Sequence, residues 1–178
     1  CIVGEATAYV LSTTDWNDNY SINVQLEKTG ITTVVFHVQA VPKKKLALQY
    51  RGHVQNIGWQ KTSTGGDWFN EGAIAGTEGY GLRVEALDMQ IKNRTGISGS
   101  IRYRSHVEND GWQEYSELYT SGDSSSNFVK APKIMGTEGK ALGVEAIELN
   151  LTGELAEKYS IFYRTHAQDV GWTNWVKD

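Results

Sequence analysis

The chain has one cysteine in 178 residues, with only two prolines and two methionines. A single Cys excludes an internal disulfide framework and any zinc site built on cysteines. No apolar run approaches the ~20 residues that a membrane-spanning helix needs. Basic residues never run longer than Lys43-Lys44-Lys45, and 17 basic against 21 acidic side chains leave a formal charge of −4. That balance argues against nucleic acid as a partner. Signatures of catalysis are also missing. The chain holds no Gly-x-Ser-x-Gly, His-Glu-x-x-His, Gly-x4-Gly-Lys-Ser/Thr or Gly-x-Gly-x-x-Gly. What it does hold is 19 Gly, nine Tyr and six Trp. The glycines follow no three-residue period, which excludes a collagen-like chain, and the aromatics exclude a disordered one. A chain of this length fits one domain or two small ones, and it can build a core without disulfide or metal.

The Gly and Trp residues fall into repeats. Tyr50-Arg51-Gly52-His53 leads after four residues to Gly58-Trp59. Tyr103-Arg104-Ser105-His106 leads in the same way to Gly111-Trp112, and Tyr163-Arg164-Thr165-His166 to Gly171-Trp172. A second element occurs twice. Gly76-Thr77-Glu78-Gly79 runs on to Val84-Glu85-Ala86-Leu87, and Gly136-Thr137-Glu138-Gly139 to Val144-Glu145-Ala146-Ile147. The inserts between the two elements differ in length, as loops tolerate and packed elements do not.

Three repeats follow at residues 46–96, 97–153 and 154–178, the last truncated, behind an N-terminal segment at 1–45. Ser21–Gly30 ends much like Ile147–Gly153. The segment either stands in for the missing half of the third repeat and closes a ring, or forms a separate degenerate unit or the tail of a preceding module.

Apolar residues alternate with polar ones in Leu87–Ile91, Ile101–Ser105 and Ile147–Leu151, the period of half-buried strands. Val34–Val38 is strand-forming by propensity. Only Glu154–Tyr159 looks helical. The expected fold is all-β, with a pseudo-threefold, β-prism-like arrangement preferred and a β-trefoil-like one as the alternative. The preference rests on reading each Val-Glu-Ala strand, the next Tyr-Arg strand and the strand after Gly-Trp as one meander. Three such repeats can bury against each other the apolar faces that none buries alone.

Tyr-Arg-x-His-x4-Gly-Trp combined with Gly-Thr-Glu-Gly and Val-Glu-Ala resembles the clostridial hydrophobic (ChW) repeat, over residues 46–178. The resemblance implies a secreted or cell-surface protein of a Gram-positive bacterium. It also implies roles in adhesion and in binding polysaccharide or glycoprotein. The departures from the pattern are the short third repeat, Gly143 where the first repeat has Arg83, and the unmatched N-terminal segment.

Trp59, Trp112 and Trp172 can stack on a pyranose face or fill the seams between repeats, and the seam is the favoured reading. Arg51, Arg104 and Arg164 are expected to pair with Glu85 and Glu145. His53, His106 and His166 are expected to bond near their own turns rather than meet on one metal. Aromatics in the variable inserts are the candidate ligand contacts: Trp68, Phe69, Tyr115, Tyr119 and, after the third Gly-Trp, Trp175. Asp15–Asn19 is oxygen-rich but lacks the EF-hand spacing. No cofactor or metal is expected. Cys1 is either an arbitrary boundary or the lipid-modified Cys of a bacterial lipoprotein. Together these features point to a non-enzymatic extracellular module that binds glycan or glycoprotein. A structural or protein-interaction module is the alternative, and a glycan hydrolase a weaker one.

Overall fold

The computed structural model describes residues 46–123 and 127–178 in full, and the backbone of strands at 20–26 and 34–40. The chain divides into two compact units, Cys1–Lys44 and Lys45–Asp178. The first holds an antiparallel hairpin of β1 (Tyr20–Leu26) and β2 (Val34–Ala40), in register from Tyr20↔Ala40 to Leu26↔Val34. Ring closure by this segment concerns its relation to the other unit and stays a proposal. Asp15–Asn19 and Cys1 lie outside the described residues.

The second unit carries the repeats. The first comprises β3 (Leu46–Val54), β4 (Gly58–Trp59), β5 (Phe69–Asn70) and β6 (Val84–Asn93). In the second are β7 (Gly99–Val107), β8 (Gly111–Trp112), β9 (Ser116–Thr120), β10 (Val129–Lys130), β11 (Met135–Gly136) and β12 (Val144–Gly153). A short helix, α1 (Glu154–Lys158), follows. The third repeat has four short strands: β13 (Phe162–Tyr163), β14 (His166–Ala167), β15 (Gly171–Trp172) and β16 (Val176–Lys177). The fold is all-β, in several antiparallel sheets, and among the described residues no sheet closes into a barrel.

The meander expected from the sequence is not what forms. Each Val-Glu-Ala strand pairs with the Tyr-Arg strand before it, β6 with β3 and β12 with β7. The reason lies in the alternation. In this register Tyr50 faces Met89 and Leu48 faces Ile91, while Tyr103 faces Leu149 and Ile101 faces Leu151. Apolar residues therefore meet on one face of each pair, which directly stabilises the sheet.

Those faces meet in a shared core. Met89, Ile91, Ile101, Tyr103, Leu118, Ala131, Met135 and Leu149 form the buried cluster, with Ile161 and Tyr163 of the third repeat packed against it. All three repeats thus contribute. At about 1.5–3 kcal/mol for each fully buried large side chain, this cluster is what a single repeat would lack.

Two short motifs have local explanations. The four-residue spacer between His and Gly-Trp is a turn that lays the tryptophan beside its histidine. His53 pairs with Trp59, His106 with Trp112 and His166 with Trp172. Each turn uses two positive-φ residues, Asn56 and Gly58, Asn109 and Gly111, or Asp169 and Gly171. Glycine takes up that conformation at no steric cost and short polar residues tolerate it. Val-Glu-Ala is a bulge. Val84 pairs with Val54 and Ala86 with His53, so Glu85 is the extra residue; Val144 and Ala146 flank Glu145 in the same way. A bulge re-aims a side chain, and here it turns the carboxylate toward histidine.

Gly143 lies beside its counterpart in the first repeat. A Cβ at this position would lie 3.4 Å from Arg83 Cδ. That is ordinary van der Waals contact, so the equivalent positions of the two repeats lie side by side, with the first repeat's arginine against Gly143.

Candidate functional site: three aromatic–arginine clamps

The repeated arginine of each repeat lies between two aromatic rings. Arg51 Cζ is 4.4 Å from the Trp59 ring and 4.7 Å from Trp68. Arg104 is 4.4 Å from Trp112 and 4.2 Å from Tyr115. Arg164 is 4.6 Å from Trp172 and 4.8 Å from Trp175. Each contact is a cation–π interaction worth about 0.5–1 kcal/mol where exposed. The histidine adds a third side. His53, His106 and His166 meet their tryptophans edge-on at ring distances of 5.4, 5.3 and 5.4 Å.

The carboxylates correct the expected pairing. Arg51 bonds Asp88 Oδ2 through Nε and Nη2, and Arg104 bonds Glu148. Glu85 and Glu145 instead reach the histidines, at 3.3 Å from His53 Nδ1 and 2.9 Å from His106 Nδ1. The register decides this. Asp88 and Glu148 stand directly opposite the arginines, whereas the bulge carries Glu85 and Glu145 to the histidines. In the second clamp the Tyr115 hydroxyl also donates to Glu148, at 2.5 Å. Arg104 and then Tyr115 hold the Glu148 carboxyl below its ordinary range, and that same carboxylate raises both Arg104 and Tyr115.

The tryptophans also join one repeat to another. Trp59 Nε1 donates to Glu138 Oε1 of the second repeat at 2.7 Å. Trp172 Nε1 donates to Glu78 Oε1 of the first at 2.5 Å. These are the glutamates of the two Gly-Thr-Glu-Gly loops. Each loop is held to its own repeat by the glutamine after the tryptophan. Gln60 bonds Gly76 at both N and O, and Gln113 does the same to Gly136.

The predicted contact residues thus separate into two groups. Trp59, Trp112, Trp172, Trp68, Tyr115 and Trp175 are brought together pairwise in the clamps. Phe69 lies in β5 opposite Tyr50, and Tyr119 points outward from β9. Trp175, Tyr119, Trp112 and Trp172 are exposed at 58%, 60%, 43% and 37%. Trp68 is half-buried, with Lys130 Nζ 6.0 Å from its ring. A shallow cleft of about 280 Å³ lies beside the second clamp, lined by Tyr103, Arg104, Gln113 and Met135 among others. Among the described residues no three His, Cys, Asp or Glu gather as a metal site would need.

Sequence reasoning missed that Trp68, Tyr115 and Trp175 are equivalent. The signal was present in two repeats, where the second aromatic follows the tryptophan by three residues. In the first repeat the loop around Thr62–Asp67 stretches the interval and hides it. The arginine partners were also readable, since Asp88 and Glu148 each follow the Val-Glu-Ala glutamate by three residues.

Residues 53–93 and 106–153, together half of the chain, match the family described as Clostridial hydrophobic W. No curated protein and no solved structure matches the chain. Among the described residues no helix is long and apolar enough to cross a membrane.

Proposed function

The chain belongs to the clostridial hydrophobic W family, whose repeats occur in bacterial and often extracellular proteins, and from that premise we propose that it is a non-catalytic binding module recognising glycan or glycoprotein. Its place is the surface or secretion space of a Gram-positive bacterium, in adhesion or substrate targeting.

The observation that carries this reading is the set of ring faces at the surface beside charged hydrogen-bonding groups. Trp175 is the most open of the three outer clamp rings, with Arg164 against it. An indole face receives the C–H face of a sugar, while a guanidinium donates to its hydroxyls. The repeated carboxylates favour binding over catalysis. Asp88 and Glu148 hold arginines, Glu85 and Glu145 contact histidines, and Glu78 and Glu138 accept from tryptophans. Each has a structural partner, and none stands as one of a unique pair across an open cleft. Single sites of this shallow kind bind weakly and gain strength by repetition.

A glycan and glycoprotein array followed by calorimetric titration tests the reading. Trp175→Ala is expected to weaken the best ligand about tenfold, which corresponds to about 1.4 kcal/mol. Trp68→Ala is expected to have a smaller effect. Absence of any glycan or glycoprotein ligand, or an unchanged affinity in Trp175→Ala, would reject it.

A further inference from the structure

Repetition accounts for most of the outer face of the second repeat's sheet, yet two side chains on it have no counterpart in the other repeats. The residue before the repeated tyrosine is Arg102 here, Gln49 in the first repeat and Phe162 in the third. Gln49 is bonded to its neighbours Asn70 and Gln90. Arg102 is exposed and, unlike Arg104, has no carboxylate in ion-pair range among the described residues. The second such residue is Tyr119, exposed at 60%. It lies on β9, which runs for five residues where the matching strand β5 runs for two. A residue that the fold does not demand in every repeat is available for a ligand.

The two lie close together. Arg102 faces Glu117 across the β7–β9 pair, and Ser100 faces Tyr119. Arg102 and Tyr119 are thus diagonal neighbours on one face, about 7–8 Å apart and within reach of one ligand ring.

The arginine is also held in place. Its Cζ lies 3.6 Å from the centre of the Tyr115 ring, whose other cationic neighbour is Arg104 at 4.2 Å. Residues two apart on a strand stand about 6.6 Å apart on one face, close to the gap that a single stacked ring fills. Tyr115 is therefore sandwiched, with both faces covered by guanidinium. At 3.6 Å the planes of Arg102 and Tyr115 have to stack, because an edge-on guanidinium would push its nitrogens into the ring. Stacking leaves the N–H fork of Arg102 lying along the surface, where it can take a carboxylate through two parallel bonds. The fork of Arg104 is already engaged by Glu148 through Nε and Nη2.

We infer that Arg102 and Tyr119 form a subsite selecting an acidic sugar, one whose pyranose ring bears a carboxylate. The carboxylate enters the Arg102 fork and the C–H face of the ring lies on Tyr119. Asn150, which faces Arg102 from β12, offers a neutral amide beside the fork. Glu117, on the other side, is exposed and opposes an anion there. This inference rests on the glycan-binding reading and deepens it, and every residue it uses belongs to the second repeat.

The experiment titrates two pairs of oligosaccharides into the full 178-residue chain, read by NMR of the ¹⁵N-labelled protein. Tetragalacturonate and neutral galactotetraose stand for a polysaccharide, and sialyllactose and lactose for the chains of a glycoprotein. At least one acidic member is expected to bind about tenfold more tightly than its neutral counterpart, as a charged hydrogen bond implies. The shifts should centre on Arg102 and Tyr119, and the pair that shows the preference names the source. Arg102→Gln should bring that pair to equal affinity, and Glu117→Gln should strengthen the acidic member. Lys158→Gln, the same change of charge on the exposed helix α1, should leave the preference intact. Equal affinities in the parent, or a preference that survives Arg102→Gln, would overturn the inference while leaving glycan binding in place. Inorganic tripolyphosphate binding as tightly at Arg102 would reduce the subsite to plain charge attraction and overturn it too. No binding by either acidic sugar has the same consequence, whereas the wider reading falls only if the array finds no ligand.

Discussion

Gly136→Ala should destabilise the repeat unit by about 3 kcal/mol or more, while Gly76→Ala at the equivalent place should cost about 1 kcal/mol. Both glycines open a Gly-Thr-Glu-Gly loop, and both have positive φ, +90° and +127°. What differs is the neighbour. A Cβ on Gly136 would lie 2.3 Å from Glu85 O, 2.7 Å from Val144 Cγ2 and 2.9 Å from Ala86 Cα. Two of those contacts are backbone of β6, which cannot yield as a flexible side chain can. A Cβ on Gly76 would meet only Val84 Cγ2, at 3.4 Å. The larger loss would show that β11 is seated hard on the neighbouring repeat's strand. Urea unfolding of the two variants checks it through their midpoints at constant slope. Equal losses would mean that only backbone conformation is at stake.

The second large effect belongs to Tyr103. Its side chain is 1% exposed at the centre of the shared core, and its hydroxyl donates to Lys133 O at 2.6 Å. Lys133 N in turn donates to that hydroxyl at 3.3 Å. Tyr103→Ala removes a large buried ring and should cost about 3–5 kcal/mol. Tyr103→Phe keeps the ring but leaves the Lys133 carbonyl without its donor, so it should cost about 1–2 kcal/mol. Tyr163→Ala, at the half-buried equivalent in the third repeat, should cost less than Tyr103→Ala. That ordering follows from a core centred on the second repeat. Thermal or denaturant unfolding of the three variants measures it, and a Tyr163→Ala loss as large as Tyr103→Ala would contradict it.

Much of the architecture could be read from spacing alone. Period-two alternation located β6, β7 and β12, and Glu154–Tyr159 anticipated α1. The Tyr-Arg-x-His-x4-Gly-Trp spacing reflects a turn that returns tryptophan to histidine. Strand partnership was misread because alternation identifies a strand's faces but not its neighbour. The choice between β7 and β3 as partner of β6 is settled by which pairing sets Tyr50 against Met89, a tertiary matter. The carboxylate assignments failed for a related reason. The repetition of Glu85 and Glu145 singled them out, but the register sets Asp88 and Glu148, three residues further along, opposite the arginines.

The tryptophans show the same limit from the other side. Repetition marked Trp59, Trp112 and Trp172 as one class, and their clamps with arginine and histidine are indeed alike. Their surroundings differ, because Trp59 faces a glutamate of the second repeat and Trp172 one of the first. Among the described residues Trp59 and Trp172 find a glutamate and Trp112 does not. No local pattern distinguishes the three, since the partner glutamates lie 79 and 94 residues from Trp59 and Trp172.

The indole resonances of the intact, ¹⁵N-labelled protein test these two bonds between repeats most directly. The Nε1–H groups of Trp59 and Trp172 should exchange slowly with water, and that of Trp112 should exchange fast. Glu138→Gln should shift and deprotect Trp59 alone, and Glu78→Gln should do so for Trp172 alone. Equal exchange at all three indoles, or a Trp112 signal that responds to either glutamate, would contradict the account.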